Sequence, residues 1–157
     1  MIDHVLPVPP STSNYVGRSQ IRDAFRSARV RQASLAESWA KDEQWAELFI
    51  RIRWQGLRRE DLTPEERAVA GMRYLSLLHH LAAIYEDVQL GLLPSSAYRI
   101  LGTETFTVPY MRDVWPVLRG EHSPEFVEFF ETRFGLKEVS DSVQRVPPGE
   151  EAPAGEF

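Results

Sequence analysis

The sequence predicts an all-α domain, an irregular bundle of about six helices around one long central helix. Three observations predict it. Apolar residues recur at helical spacing in segment after segment, several segments open on a recognisable helix start, and only one short stretch alternates as a strand would. The 157 residues suffice for one core. We place that core at residues 17–135, between a flexible Pro-rich leader (1–16) and an acidic Pro/Gly tail (136–157) with too few large apolar groups to offset its ordering entropy.

From Arg18 to about Ala40, the residues Ile21, Phe25, Ala28, Leu35 and Trp39 fall on one stripe at 3.6 residues per turn. A break near Lys41-Asp42, with Asp42 as a cap, leads into a second helix carrying Trp45, Leu48, Phe49 and Ile52 and ending near Gly56. The third start has the strongest signal: Thr63-Pro64-Glu65-Glu66 sets a capping threonine, a proline at the first helical position and a glutamate at the capping-box position. This helix should run to Gly91, which suits a left-handed cap. Its apolar residues, from Tyr74, Leu75, Leu77 and Leu78 to Ile84, Tyr85 and Val88, cover well over a third of its circumference. Only a helix touching several neighbours needs so wide an arc, so it is expected at the centre.

Pro94, Ser95 and Ser96 open a fourth helix through Tyr98, Ile100 and Leu101. The stretch from Thr103 to Val108 alternates, but a lone strand has no ladder partner, so a frayed helix end or an extended link is expected there. Pro109 starts a helix with Tyr110, Met111, Val114, Trp115 and Leu118, bent at Pro116 and stopped by Gly120. Ser123-Pro124-Glu125 caps the last helix, which carries Phe126, Phe129, Phe130 and Phe134 and closes at Gly135.

Composition and motifs narrow the function. With no cysteine, the chain has no disulfide, thiolate zinc site, iron–sulfur cluster or cysteine nucleophile. No apolar run approaches the roughly 20 residues of a membrane span, and Met1 to Pro7 lacks the features of a signal peptide, so a soluble, cytoplasmic chain is expected. There is no Gly-x-Ser-x-Gly elbow, no Gly-x-x-x-x-Gly-Lys phosphate loop, no Gly-x-Gly-x-x-Gly turn and no Glu-x-x-His pair. No catalytic residue, metal or cofactor is therefore expected.

His79, His80, Glu86 and Asp87 form the one polar cluster on the third helix. His79 shares a face with Glu86, and His80 with Asp87, but seven residues separate each pair by about 10.5 Å of rise. A helical chelate needs ligands three or four residues apart. These four are read as a polar stripe away from the apolar arc, with a site completed by other helices as the alternative. His122-Ser123 is read as the approach to a helix cap.

Charge is distributed unevenly. Residues 1–59 hold ten Arg/Lys and six Asp/Glu, residues 60–157 eight and seventeen, within a net charge of −5. Arg18, Arg22, Arg26 and Arg29 align on one flank of the first helix; Glu121, Glu125, Glu128 and Glu131 align near the last. The two stripes are candidates to face each other, within one chain or across a dimer, and set helix orientation. The alternatives are two solvated faces, or an arginine flank that holds nucleic acid or an anionic membrane.

Trp45-Ala46-Glu47-Leu48-Phe49, Leu62-Thr63-Pro64-Glu65-Glu66-Arg67, Tyr85-Glu86 before Gly91-Leu92-Leu93, Trp115, and Ser123-Pro124-Glu125-Phe126-Val127 together resemble an uncharacterised bacterial helical family catalogued as a domain of unknown function. The resemblance covers roughly residues 30–135. It implies a small helical domain, often tethered behind one transmembrane helix by a polar helix like residues 18–40, and it implies no catalytic or cofactor residue. The functional expectation is a non-enzymatic helical module for protein–protein interaction or regulation, with a protein partner or self-association. Peripheral binding to membrane or nucleic acid through the arginine stripe is the first alternative. An enzyme or small-ligand binder using His79, His80, Glu86 and Asp87 is the second.

Overall fold

A computed structural model of the chain describes residues 17–138 and is all-α over that span. Five α-helices lie wholly within the described residues, α1 (Arg18–Ala40), α2 (Glu43–Trp54), α3 (Pro64–Gln89), α4 (Pro109–Leu118) and α5 (Pro124–Phe134), and a further helical stretch begins at 137–138. Short 3-10 segments at Arg59–Asp61, Ser95–Leu101, Thr103–Phe106 and Arg119–Glu121 connect them. The leader at 1–16 and the tail from 139 onward lie outside the described residues. Among those that are described, no helix is long and apolar enough to cross a membrane.

The helix boundaries follow from local chemistry. Asp42 Oδ1 accepts from the Trp45 amide at 3.0 Å and starts α2. At α3 the capping box closes in both directions, the Glu66 amide donating to Thr63 Oγ1 at 3.2 Å and the Thr63 amide to Glu66 Oε2 at 2.9 Å. The far end of α3 is a Schellman turn. Gly91 sits at φ +72°, its amide donates to the Val88 carbonyl, and the Leu92 amide donates to the Asp87 carbonyl at 2.8 Å.

Helix α3 is central, packing against α1, α2 and the Ser95–Leu101 segment. It buries Ala70, Tyr74, Leu77, Leu78, His80, Leu81 and Ile84. Around it the aromatic residues interlock. Trp45 meets Trp39, Phe49 and Tyr74; Tyr74 meets Tyr110; Phe130 meets Phe106, Trp115, Phe126 and Phe134; and Phe129 bridges Tyr85 and Tyr98. Ring centroids in these pairs lie 4.4–6.2 Å apart, the range in which offset and edge contacts are favourable.

Three details differ from the sequence reading. The fourth helix is a 3-10 segment rather than an α-helix, held between Pro94 and Gly102, which takes φ +73°. Thr103–Phe106 then coils as a second 3-10 turn; Thr105 is buried and its hydroxyl folds back on the Leu101 carbonyl at 3.1 Å, while Phe106 enters the core. Finally, the core extends past Gly135. Leu136 is buried and its amide donates to the Glu131 carbonyl, so the left-handed glycine turns the chain back and its successor packs inward.

Arginine–carboxylate pairs join the elements at six places. Arg31 of α1 pairs with Asp87 of α3, Arg51 of α2 with Glu66 of α3, and Arg53 of α2 with Glu104. Arg58 pairs with Asp113 of α4, Arg73 of α3 with the α2 cap Asp42, and Arg119 with Glu131 of α5. Partly exposed pairs contribute little stability; their effect is to fix which faces meet.

Candidate functional site

Helix α1 is held by less than any other long element. Of its 23 residues only Ala28 is buried, with Ala24, Phe25 and Trp39 partly buried against the core. Arg18, Arg22, Arg26 and Arg29 are all exposed. None of them makes an ion pair or hydrogen bond among the described residues, in contrast to the six arginines that clamp elements together. Val30, exposed, continues the same flank one turn beyond Arg26.

The acidic stripe divides. Glu121, Glu125 and Glu128 are exposed, but Glu131 is only 7% exposed, accepts from the Trp115 indole N–H at 3.0 Å and pairs with Arg119 at 3.4 Å. Glu131 is therefore a correction to the sequence reading. It follows Val127 by one helical turn on the inner side of α5, and the buried indole needs an acceptor there. Among the described residues no ion pair joins the arginine stripe to the acidic one, so the two do not close on each other within the described part of one chain.

The cluster on α3 also divides, along the face-sharing pairs that the spacing gave. His79 and Glu86 turn toward the start of α5. There they line a cleft of about 320 Å³ with Tyr85, Glu121, His122 and Phe126. The His79 and His122 rings stand edge to face, centroids 5.3 Å apart, and His122 also lies against Phe126 at 4.9 Å. Burial holds the His122 imidazole below the ordinary histidine range; His79 adds to this and Glu121 opposes it. His122 Nε2 is buried without a hydrogen-bond partner among the described residues. The sequence offered no link between His79 and His122, which lie 43 positions apart on separate helical elements. No group of three His, Asp or Glu side chains among the described residues is placed to hold a metal ion.

His80 and Asp87 turn the other way, toward α1. His80 is 5% exposed, which corrects its assignment to the polar stripe. The reason is the breadth of contact around α3: with α1 laid along that edge, the buried arc extends past Leu77 and Ile84 to include the position between them. Neither ring nitrogen of His80 has a hydrogen-bond partner among the described residues. Burial, with Arg31 adding to it, lowers its proton affinity. Asp87 holds Arg31 at 3.3 Å, and one heptad before His80 on the same edge Arg73 donates to Ser38 of α1 at 3.3 Å and to Asp42 at 2.6 Å.

The largest exposed apolar side chain is Trp54 at the end of α2, 76% exposed, with the Arg53 guanidinium 5.5 Å from its ring. Comparison of the chain with protein-family models, curated proteins and solved structures returns no match.

Proposed function

We propose that the chain is a protein–protein interaction module whose docking surface is the outer flank of α1, and that its partner is an acidic protein surface. One observation carries the reading. Six arginines each tie two elements of the fold together, whereas Arg18, Arg22, Arg26 and Arg29 stand exposed, with no ion pair among the described residues, on the least embedded helix. Four guanidiniums along about 16 Å of helix offer bidentate donors at a spacing that a helix or strand bearing carboxylates can follow. Self-association is the version in which a second copy supplies the acids through its exposed Glu121, Glu125 and Glu128.

The net charge of −5 opposes an extended polyanion such as an anionic bilayer or a nucleic acid, whereas a protein can confine its carboxylates to the strip that meets α1. Photocross-linking in the native host tests the reading, with the reactive residue placed at position 22 or 26 and, as control, at the exposed Arg112. A defined protein adduct is expected from α1 and not from the control, and it should disappear when the other three stripe arginines are changed to glutamine. Adducts that do not differ between the two sites would overturn it. So would retention on anionic vesicles or an oligonucleotide that the Arg→Gln changes abolish, with no protein adduct.

A further inference from the structure

We propose that His80 is a proton-operated latch on α1: with the imidazole neutral, α1 stays docked along α3, and a proton on His80 releases it. The seam between the two helices has a polar column on its α3 side, Arg73, His80 and Asp87, spaced by seven residues and so by about 10.5 Å each. The outer two members are answered: Asp87 by Arg31 of α1, and Arg73 by Ser38 of α1 and by Asp42 at the head of α2. His80 stands between them, 5% exposed, with no hydrogen-bond partner at either nitrogen among the described residues.

A buried neutral imidazole in that position costs its unmade hydrogen bonds. A buried imidazolium costs much more, because a charge taken from water without a counter-ion keeps most of its desolvation penalty. The charge that acts on the ring is Arg31 of α1; along α3, Arg73 and Asp87 stand seven residues before and after it, and Asp42 at the head of α2 is held by Arg73. Both carboxylates are already held by arginines, and Asp87 lies two helical turns from the ring, beyond reach of a hydrogen bond. The proton would therefore add an unmatched positive charge to a seam whose two arginines and two carboxylates already balance.

What opposes release is small. The docked helix fully buries only Ala28; Ala24, Phe25 and Trp39 are partly buried, Trp39 against Trp45 and Phe49 of α2, and the ion pair and hydrogen bond to α3 are partly exposed. The depressed proton affinity of His80 has the sign this requires. The docked state binds fewer protons than the released one, so docking holds at neutral pH and weakens as pH falls below 6.5, the ordinary value. In that window the ratio of released to docked helix grows up to tenfold per pH unit. Release bares Ala24, Phe25, Ala28 and Trp39 and turns α1 into a free amphipathic helix with its arginines on one flank. That this alters partner binding rests on the docking role of α1 proposed above; the release itself does not.

The absence of native cysteine makes the test direct. Spin labels go on the full chain at the exposed Ser34→Cys of α1 and Ser76→Cys of α3, and the distance between them is measured from pH 7.5 to pH 5. One docked distance is expected at pH 7.5, with a longer, broader population entering as a single-proton transition whose midpoint lies below 6.5. In His80→Leu the docked distance should persist at every pH; if that variant does not fold, His80→Gln serves. A distance that does not change down to pH 5 in the chain with native His80 overturns the latch and leaves the docking surface untouched. A transition that survives removal of the imidazole also overturns it.

Discussion

Glu131 and Trp115 show how one residue can take two roles depending on what faces it. Read along α5, Glu131 continues the series Glu121, Glu125, Glu128, yet the indole N–H of Trp115 and the guanidinium of Arg119 draw it inward. Replacing it with alanine leaves a buried indole donor without an acceptor. Glu131→Ala should lower unfolding stability by about 1–3 kcal/mol, measured by chemical denaturation, whereas Glu128→Ala on the exposed flank should change it by less than about 0.5 kcal/mol. Trp45, fully buried among Trp39, Phe49 and Tyr74, is the packing counterpart, and Trp45→Ala should cost about 3–5 kcal/mol in the same measurement. Residue identity alone foretold the second effect. The first depends on a contact between α4 and α5 that no spacing along the chain contains.

At the scale of elements, what was legible is what is local. Asp42, Thr63, Pro64, Ser123 and Gly91 act within a turn of where they stand, and each marks a helix end where the sequence placed it. Gly91→Ala should therefore destabilise α3 by about 1–2 kcal/mol from backbone strain alone, since φ is +72° and an added Cβ meets no atom within 4 Å. A thermal unfolding midpoint that does not move would mean that the turn is not held as described. Leu136 and His80 were misplaced for the complementary reason. Each looks polar or terminal in its own segment: the left-handed turn at Gly135 folds Leu136 back onto the core, and α1, far along the chain, covers His80. The His79–His122 cleft was missed in the same way, because α3 and the approach to α5 meet only in three dimensions.

For the whole molecule, stability should tilt with acid. His80 and His122 both have proton affinities lowered mainly by burial, so the folded chain binds fewer protons than the unfolded chain just below pH 6.5. Unfolding free energy should accordingly fall between pH 7.5 and pH 5.5, and His122→Phe together with His80→Leu should flatten the dependence; an unchanged slope in the double variant would assign the acid sensitivity elsewhere. Among the described residues, six arginines clamp elements together and the α1 stripe makes no ion pair. On the proposed function, Arg18, Arg22, Arg26 and Arg29 serve a partner and not the fold. Denaturant unfolding of the full chain with all four changed to glutamine tests it most directly. Its midpoint should match the native chain or rise slightly as like charges are removed from one flank, while binding through α1 is lost. A fall equivalent to more than about 2 kcal/mol would show that the stripe holds the fold together, and would contradict the account.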